Sequence, residues 1–158
     1  MQVLFGPQDR VINRIREAFV SATKTIDIAV FLISSKRVVN TILKAHAKGT
    51  TIRVVIDQRL ARTKYSKHKY LVKHGVELRT VRVRRGLMHD KFILIDRKWL
   101  IAGSANLSND ANYRNHEFVL FSRYRPIVRQ FSAKFEELWQ LGKQSPIKKK
   151  GGRGDNKI

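Results

Sequence analysis

The chain of 158 residues contains no cysteine, which excludes disulfides, zinc ribbons and thiolate metal sites and leaves the redox compartment open. Apolar runs are short as well. None approaches the roughly 20 residues that a helix needs to span a bilayer, so no membrane anchor is expected. The opening Met1-Gln2-Val3-Leu4-Phe5 has neither the basic head nor the apolar stretch of a signal peptide. A cytoplasmic location is therefore expected for a complete chain, and a periplasmic or secreted one if a leader has been removed. Acidic side chains are the other scarcity: 12 Asp and Glu face 33 Lys and Arg, for a net charge of +21. A surface of that sign attracts polyanions, whether nucleic acid or anionic lipid. The length suits one domain, which buries about two-thirds of its unfolded surface and so has a real core.

What is present begins with one run. His89, Lys91, Asp96, Gly103, Ser104 and Asn106 form the pattern H-x-K-x4-D-x6-G-S-x-N. They are embedded among Phe92, Ile93, Leu94, Ile95, Leu100, Ile101 and Ala102, and polar groups in such surroundings are costly unless paired and used. Lys91 to Ile95 reads as a buried strand. Residues two apart on a strand share a face, so His89 and Lys91 point the same way. Trp99 to Ala102 reads as the partner strand, joined through the polar turn Asp96, Arg97, Lys98. Ser104 and Asn106, again two apart, extend past its end. An imidazole, an ammonium, a hydroxyl and a carboxamide thus converge where two paired strands finish. The imidazole attacks or shuttles protons near neutral pH, and the other three donate to the oxygens of an anion. A phosphate is the natural client. Asp96 falls on the strand face opposite His89, which assigns it a structural, turn-fixing role.

The run resembles the signature of the phospholipase D superfamily. His89, Lys91 and Asp96 match its HKD motif without departure, Gly103, Ser104 and Asn106 match the extension, and Asn115 with Glu117 resembles its trailing acidic residue. The likeness runs in outline from Val3 to about Leu141. Phe5-Gly6-Pro7, an amphipathic helix and a strand at Thr25 to Phe31 look like the opening of the family's small bacterial endonucleases. The resemblance implies an α/β fold, a mixed β-sheet sandwiched between α-helices as in a phospholipase D-like half-domain. It also implies two-step phosphodiester cleavage with neither metal nor cofactor. One histidine attacks phosphorus to give a covalent phosphohistidine, a second protonates the leaving oxygen, and water releases the intermediate. Lys91, Ser104 and Asn106 would hold the nonbridging oxygens as charge builds. Glu117 would orient an imidazole nitrogen, while Asp96 and Gly103 would be structural.

One such motif is present. His46-Ala47-Lys48 fits H-x-K locally but lacks the downstream residues, and Ala45 to Gly49 reads as a helix end with a glycine cap. Because the implied mechanism uses two histidines, the chain is expected to pair with itself about a two-fold axis, as a homodimer. Ten Lys or Arg residues between Arg59 and Gly86 oppose only Glu77. Of these, Arg59, Arg62, Lys64, Lys67, Lys69, Arg82, Arg84 and Arg85 are candidate contacts for nucleic acid. Arg82 and Arg84 share one face of an expected strand with Val81 and Val83 on the other, and Tyr65 and Tyr70 interleave with the lysines. Basic residues with aromatic neighbours are the footprint of a polyphosphate track with base stacking. A charge run alone is more often a solvated face; beside a phosphodiesterase motif, nucleic acid is favoured. The leading expectation is an endonuclease on DNA or RNA with little sequence preference. The alternatives are a phospholipid hydrolase similar to the cardiolipin-type members, and a nucleic-acid-binding module with vestigial catalysis.

Strand and helix signals alternate along the chain, which argues for a sheet with helices on both faces. Strands are expected at Gln2 to Phe5, Thr25 to Leu32, Thr51 to Asp57, Glu77 to Val83 and Phe118 to Ser122, besides the motif pair. Helices are expected at Asp9 to Ser21, from a Ser35 cap to Lys48, at Tyr65 to His74 and at Pro126 to Leu141. Trp99 and Trp139 are expected in the core, and Asp57 as a cap or turn residue. Residues 1–141 would form the catalytic domain. From Gly142 the glycine-rich segment carries six basic residues against Asp155 and almost nothing apolar, so 142–158 is expected to be a disordered basic tail.

Overall fold

Alternation of β-branched runs with amphipathic stretches produces a single sheet flanked by helices. The computed structural model describes residues 1–145. Strand β1 (Gln2–Gly6) leads into α1 (Val11–Ser21), β2 (Thr25–Val30), α2 (Lys36–Ala47) and β3 (Thr51–Asp57). Two short helices follow, α3 (Gln58–Ala61) and α4 (His68–Lys73), then β4 (Glu77–Val81) and the hairpin of β5 (Lys91–Ile95) and β6 (Trp99–Gly103). After α5 (Asn109–Tyr113) come β7 (Glu117–Ser122), the long α6 (Arg125–Leu141) and a two-residue β8 (Lys143–Gln144). The eight strands lie in the order β1-β7-β6-β5-β2-β3-β4-β8. Strands β2, β3 and β4 are parallel and all other pairings antiparallel, so the sheet is mixed.

Period-two alternation divides the core into two layers. Ile26, Ile28 and Val30 of β2, with Ile93 and Ile95 of β5, meet Val11, Ile12, Ile15 and Phe19 of α1 and Val38, Val39 and Ile42 of α2. Their neighbours Ala29, Phe92 and Leu94 face the other way, onto Val128, Phe135, Leu138 and Trp139 of α6. Full burial of an aromatic such as Phe19 stabilises by about 2–3 kcal/mol, and many such contacts decide which strand face looks where. Ser35 caps α2 by accepting from the Val38 amide at 3.4 Å, and Gly49, at φ +95°, ends it. Among the described residues, no helix is long and apolar enough to cross a membrane.

Four expectations need correction. Strand β4 stops at Val81, because its last partner on β3 is Asp57, where that strand ends. Arg82 and Arg84 therefore lie in an exposed loop rather than on a strand face. The fourth helix begins at His68, since the Lys67 amide is drawn to the Ile33 carbonyl at 2.8 Å. Trp99 is 39% exposed at the rim of β6, lying under the Arg123 guanidinium, whereas Trp139 is buried. Lys143 and Gln144 pair with Thr80 and Arg79, and the Ser145 amide donates to Leu78 at 3.1 Å, so order continues past 141. The remainder of the expected tail, 146–158, lies outside the described residues.

Candidate active site

The sheet's register gathers the chemistry at one end. Lys91 is the partner of Val30, Gly103 of Val119, Gly6 of Glu117 and Asp57 of Val81. The strands β1, β2, β3, β4 and β6 finish there, and β5 and β7 begin there. Loops and short helices leaving this end carry His89, Ser104, Asn106 and most of the basic residues. Arg59, Arg62, Lys64, Lys69, Arg82, Arg84 and Arg85 are exposed on them and Lys67 is half-buried. Lys73 instead ends α4 on the far side, and Arg79 sits within β4, donating to the Trp139 carbonyl at 2.7 Å. A hollow of about 240 Å³ beside His46 and Glu77 also lies at the far end, away from this chemistry.

His89 is exposed just before β5, and Lys91 is half-buried as its first residue. The Lys91 ammonium lies 3.1 Å from His89 Nδ1 and 3.3 Å from Nε2, and donates to the His89 carbonyl at 2.9 Å. Burial pulls the Lys91 pKa below its ordinary value, partly offset by the negative charges of Glu117 and Asp90. A residue outside the sequence pattern completes this face. Phe31, the residue after β2, packs its ring 4.7 Å from the imidazole, and the Lys91 ammonium stands 5.6 Å from the same ring. An aromatic at a strand end carries no local mark that distinguishes it from core; only the pairing of Val30 with Lys91 brings it here.

On the neighbouring strand pair, Gly103 is required by close backbone approach. A Cβ there would stand 2.1 Å from the Phe118 carbonyl oxygen, which accepts from the Ser104 amide at 3.1 Å. The Ser104 hydroxyl donates to Glu117 and accepts from the Phe118 amide at 3.1 Å. Asn115 donates to the other Glu117 oxygen at 3.2 Å. Within the chain the Ser104 proton thus goes to Glu117, and Glu117 meets Ser104 and Asn115. Asn106 leaves its Oδ1 buried without a partner. An unsatisfied buried acceptor costs roughly 1–3 kcal/mol, so its bonding capacity is unspent.

Asp96 lies at the opposite end of β5. Its carboxylate accepts from the amides of Thr23, Lys24 and Thr25 and from the Thr23 hydroxyl. Burial tends to raise its pKa, but these bonds prevail and hold it below the usual carboxylate range. Asp57, buried at the end of β3, accepts from the amides of Arg59, Leu60 and Met88. Among the described residues, no three His, Cys, Asp or Glu cluster as metal ligands would.

Residues 15–139 match the family model described as "Cardiolipin synthase, PLD-like domain". A mitochondrial cardiolipin hydrolase of Chlamydomonas reinhardtii is 30% identical over 132 residues, covering 84% of this chain and 59% of that protein. The chain spans about half to two-thirds of the length of the curated relatives it matches. Among solved structures, the phospholipase D family member Nuc from Salmonella typhimurium superposes with a TM-score of 0.83 at 24% identity, covering 91% of this chain and 96% of Nuc. NucT from Helicobacter pylori gives a TM-score of 0.83 at 20% identity, covering 91% and 98%. At these identities the superpositions establish the fold.

Proposed function

The chain belongs to the phospholipase D-like family, and from that premise we propose that it is a phosphodiester hydrolase. Its substrate is DNA or RNA, cut without a metal ion and with little sequence preference by a homodimer. The contact between His89 and Lys91 carries this reading. It sets an imidazole nucleophile beside the cation that would hold the phosphate under attack. A ring nitrogen of His89 attacks phosphorus with its lone pair free of Lys91, which turns to the phosphate, and forms a P–N bond while the bond to the leaving oxygen breaks. The leaving oxygen takes a proton from the imidazole of a second copy. Water, losing a proton to that second imidazole, then attacks phosphorus; the P–N bond breaks and His89 is restored. The Lys91 ammonium and the Asn106 amide N–H hold the nonbridging oxygens as charge accumulates. Ser104 fixes Glu117 at the mouth, where the carboxylate receives an imidazole N–H from the second copy.

Docking of a second copy is supported by an exposed apolar patch: Val3, Phe5 and Phe118 share the sheet face opposite α1 and are 44%, 58% and 49% exposed. The basic loops supply a sequence-independent track for the phosphate backbone, with Tyr65 and Tyr70 exposed for stacking. A phospholipid substrate is the second reading. The curated relatives are named cardiolipin hydrolases, and Val83 and Leu87 are exposed among Arg82, Arg84 and Arg85.

The test is cleavage of labelled single- and double-stranded DNA, RNA and cardiolipin vesicles in EDTA, beside His89→Ala. Nucleic-acid cleavage that survives chelation, vanishes in the variant and falls steeply with salt is expected. A requirement for magnesium refutes the mechanism. Cleavage of vesicles alone transfers the assignment to phospholipid, and binding without cleavage leaves a nucleic-acid module. An active monomer in analytical ultracentrifugation refutes the shared site.

A further inference from the structure

Asp57 is only 1% exposed, yet among the described residues no basic side chain pairs with it. The other buried carboxylate among those residues, Asp27, meets Arg53 at 2.8 Å. Asp57 instead divides its two oxygens between two loops. Oδ1 accepts from the Arg59 and Leu60 amides at 2.8 and 3.2 Å and starts α3, opening the loop that carries Arg59, Arg62 and Lys64. Oδ2 accepts from the Met88 amide at 3.0 Å, across 31 residues of sequence. Met88 is the residue before His89, and its side chain is buried in the layer beneath α6. A capping residue needs only the first oxygen. The second serves the segment that delivers the imidazole.

We propose that Asp57 is a positioning residue for His89: its carboxylate pins the backbone at Met88 and ties the two basic loops to the imidazole. The inference rests on the reading of His89 as the reacting group. Lys91 secures the other side of His89 from within β5, so the ring is held between two anchored neighbours. Releasing the Met88 amide loosens one of them. Misplacement of a reacting group by about 1 Å costs up to roughly 100-fold in rate, and no phosphate contact is removed.

The experiment compares Asp57→Ser and Asp57→Asn with the unaltered chain. Serine retains the helix cap but cannot reach Met88, and asparagine can set a second N–H against the Met88 amide. Turnover of bis(p-nitrophenyl) phosphate is expected to fall about tenfold or more, with KM for this ester and affinity for a polynucleotide retained. Imidazole resonances of His89, assigned through His89→Gln, are expected to move, while those of His46 and His74 at the far end stay. Unchanged turnover with His89 resonances in place overturns the proposal. So does movement of all three histidines together, which marks general loosening. If the unaltered chain cleaves no phosphodiester, the proposed function fails separately. The His89 resonances then decide on Asp57 alone: moved, they support it, and unmoved, they overturn it.

Discussion

Asp96→Ala tests whether every member of the motif acts in the chemistry. Asp96 stands at the far end of β5 from Lys91, roughly 17 Å away at about 3.3 Å per strand residue. Its carboxylate holds the turn into β2 through the amides of Lys24 at 2.7 Å and Thr25 at 2.9 Å, and through the amide and hydroxyl of Thr23. A hydrogen bond to a charged group is worth about 1.5–3 kcal/mol. Thr23 and Lys24 are exposed and re-bond to water on truncation, so the net loss is near the value of a single bond, about 2 kcal/mol. Asp96 also sits at φ 52°, where alanine adds roughly 1 kcal/mol of strain. The sum, about 3 kcal/mol, lowers the melting temperature by roughly 6–12 °C for a chain of this size.

Circular-dichroism melts and turnover measured well below both midpoints separate stability from chemistry: the midpoint falls and kcat is retained. Acid gives an independent check. The folded pKa of Asp96 is depressed, so its contribution is complete above the ordinary carboxylate value of about 3.9 and disappears as pH falls through the folded value. The gap between wild type and Asp96→Asn is therefore full at neutral pH and closes in acid. Collapse of kcat with an unaltered midpoint refutes the structural assignment, as does a gap that persists in acid.

Gly103→Ala places a Cβ 2.1 Å from the Phe118 carbonyl, so the β6–β7 pairing must separate. A loss of about 3 kcal/mol in urea denaturation is expected, and a wild-type midpoint contradicts it. Phe31→Leu keeps bulk but removes the ring beside His89; at about 0.5–1.5 kcal/mol per aromatic pair, kcat falls roughly 2- to 12-fold. Polynucleotide affinity, measured by filter binding, stays the same, and an unchanged kcat removes Phe31 from the site. Lys91 must be charged to donate, and its pKa is lowered, first by burial. The alkaline limb of the pH–rate profile therefore lies below the ordinary lysine value of about 10.4 and is absent in any active Lys91→Arg enzyme. A limb at or above the ordinary value refutes the assignment.

Local spacing made much of this molecule legible. Residues two apart on a strand share a face in any sheet, so the proximity of His89 and Lys91 follows from the chain alone, as does the alternation that yields a mixed sheet with helices on both faces. The Ser35 cap and the Gly49 stop are local as well, because backbone amides and φ angles a few residues away are their only requirement. What spacing could not supply is who stands opposite whom. Strand β4 ends where β3 ceases to offer partners, which turns Arg82 and Arg84 from strand residues into loop residues. Lys143 and Gln144 order because the free edge of β4 has unpaired backbone groups, a property of a strand more than sixty positions earlier.

The candidate site divides along the same line. Sequence by itself determined the juxtaposition of His89 with Lys91 and the excess of positive charge, since residue type and near-neighbour spacing carry both. Tertiary structure alone decided that Phe31 flanks the imidazole, that Asp57 reaches Met88, that Ser104 turns to Glu117, and which cations share the end of the sheet with His89. Those contacts join segments far apart in sequence, and strand order and register, set by burying two apolar layers at once, bring them together.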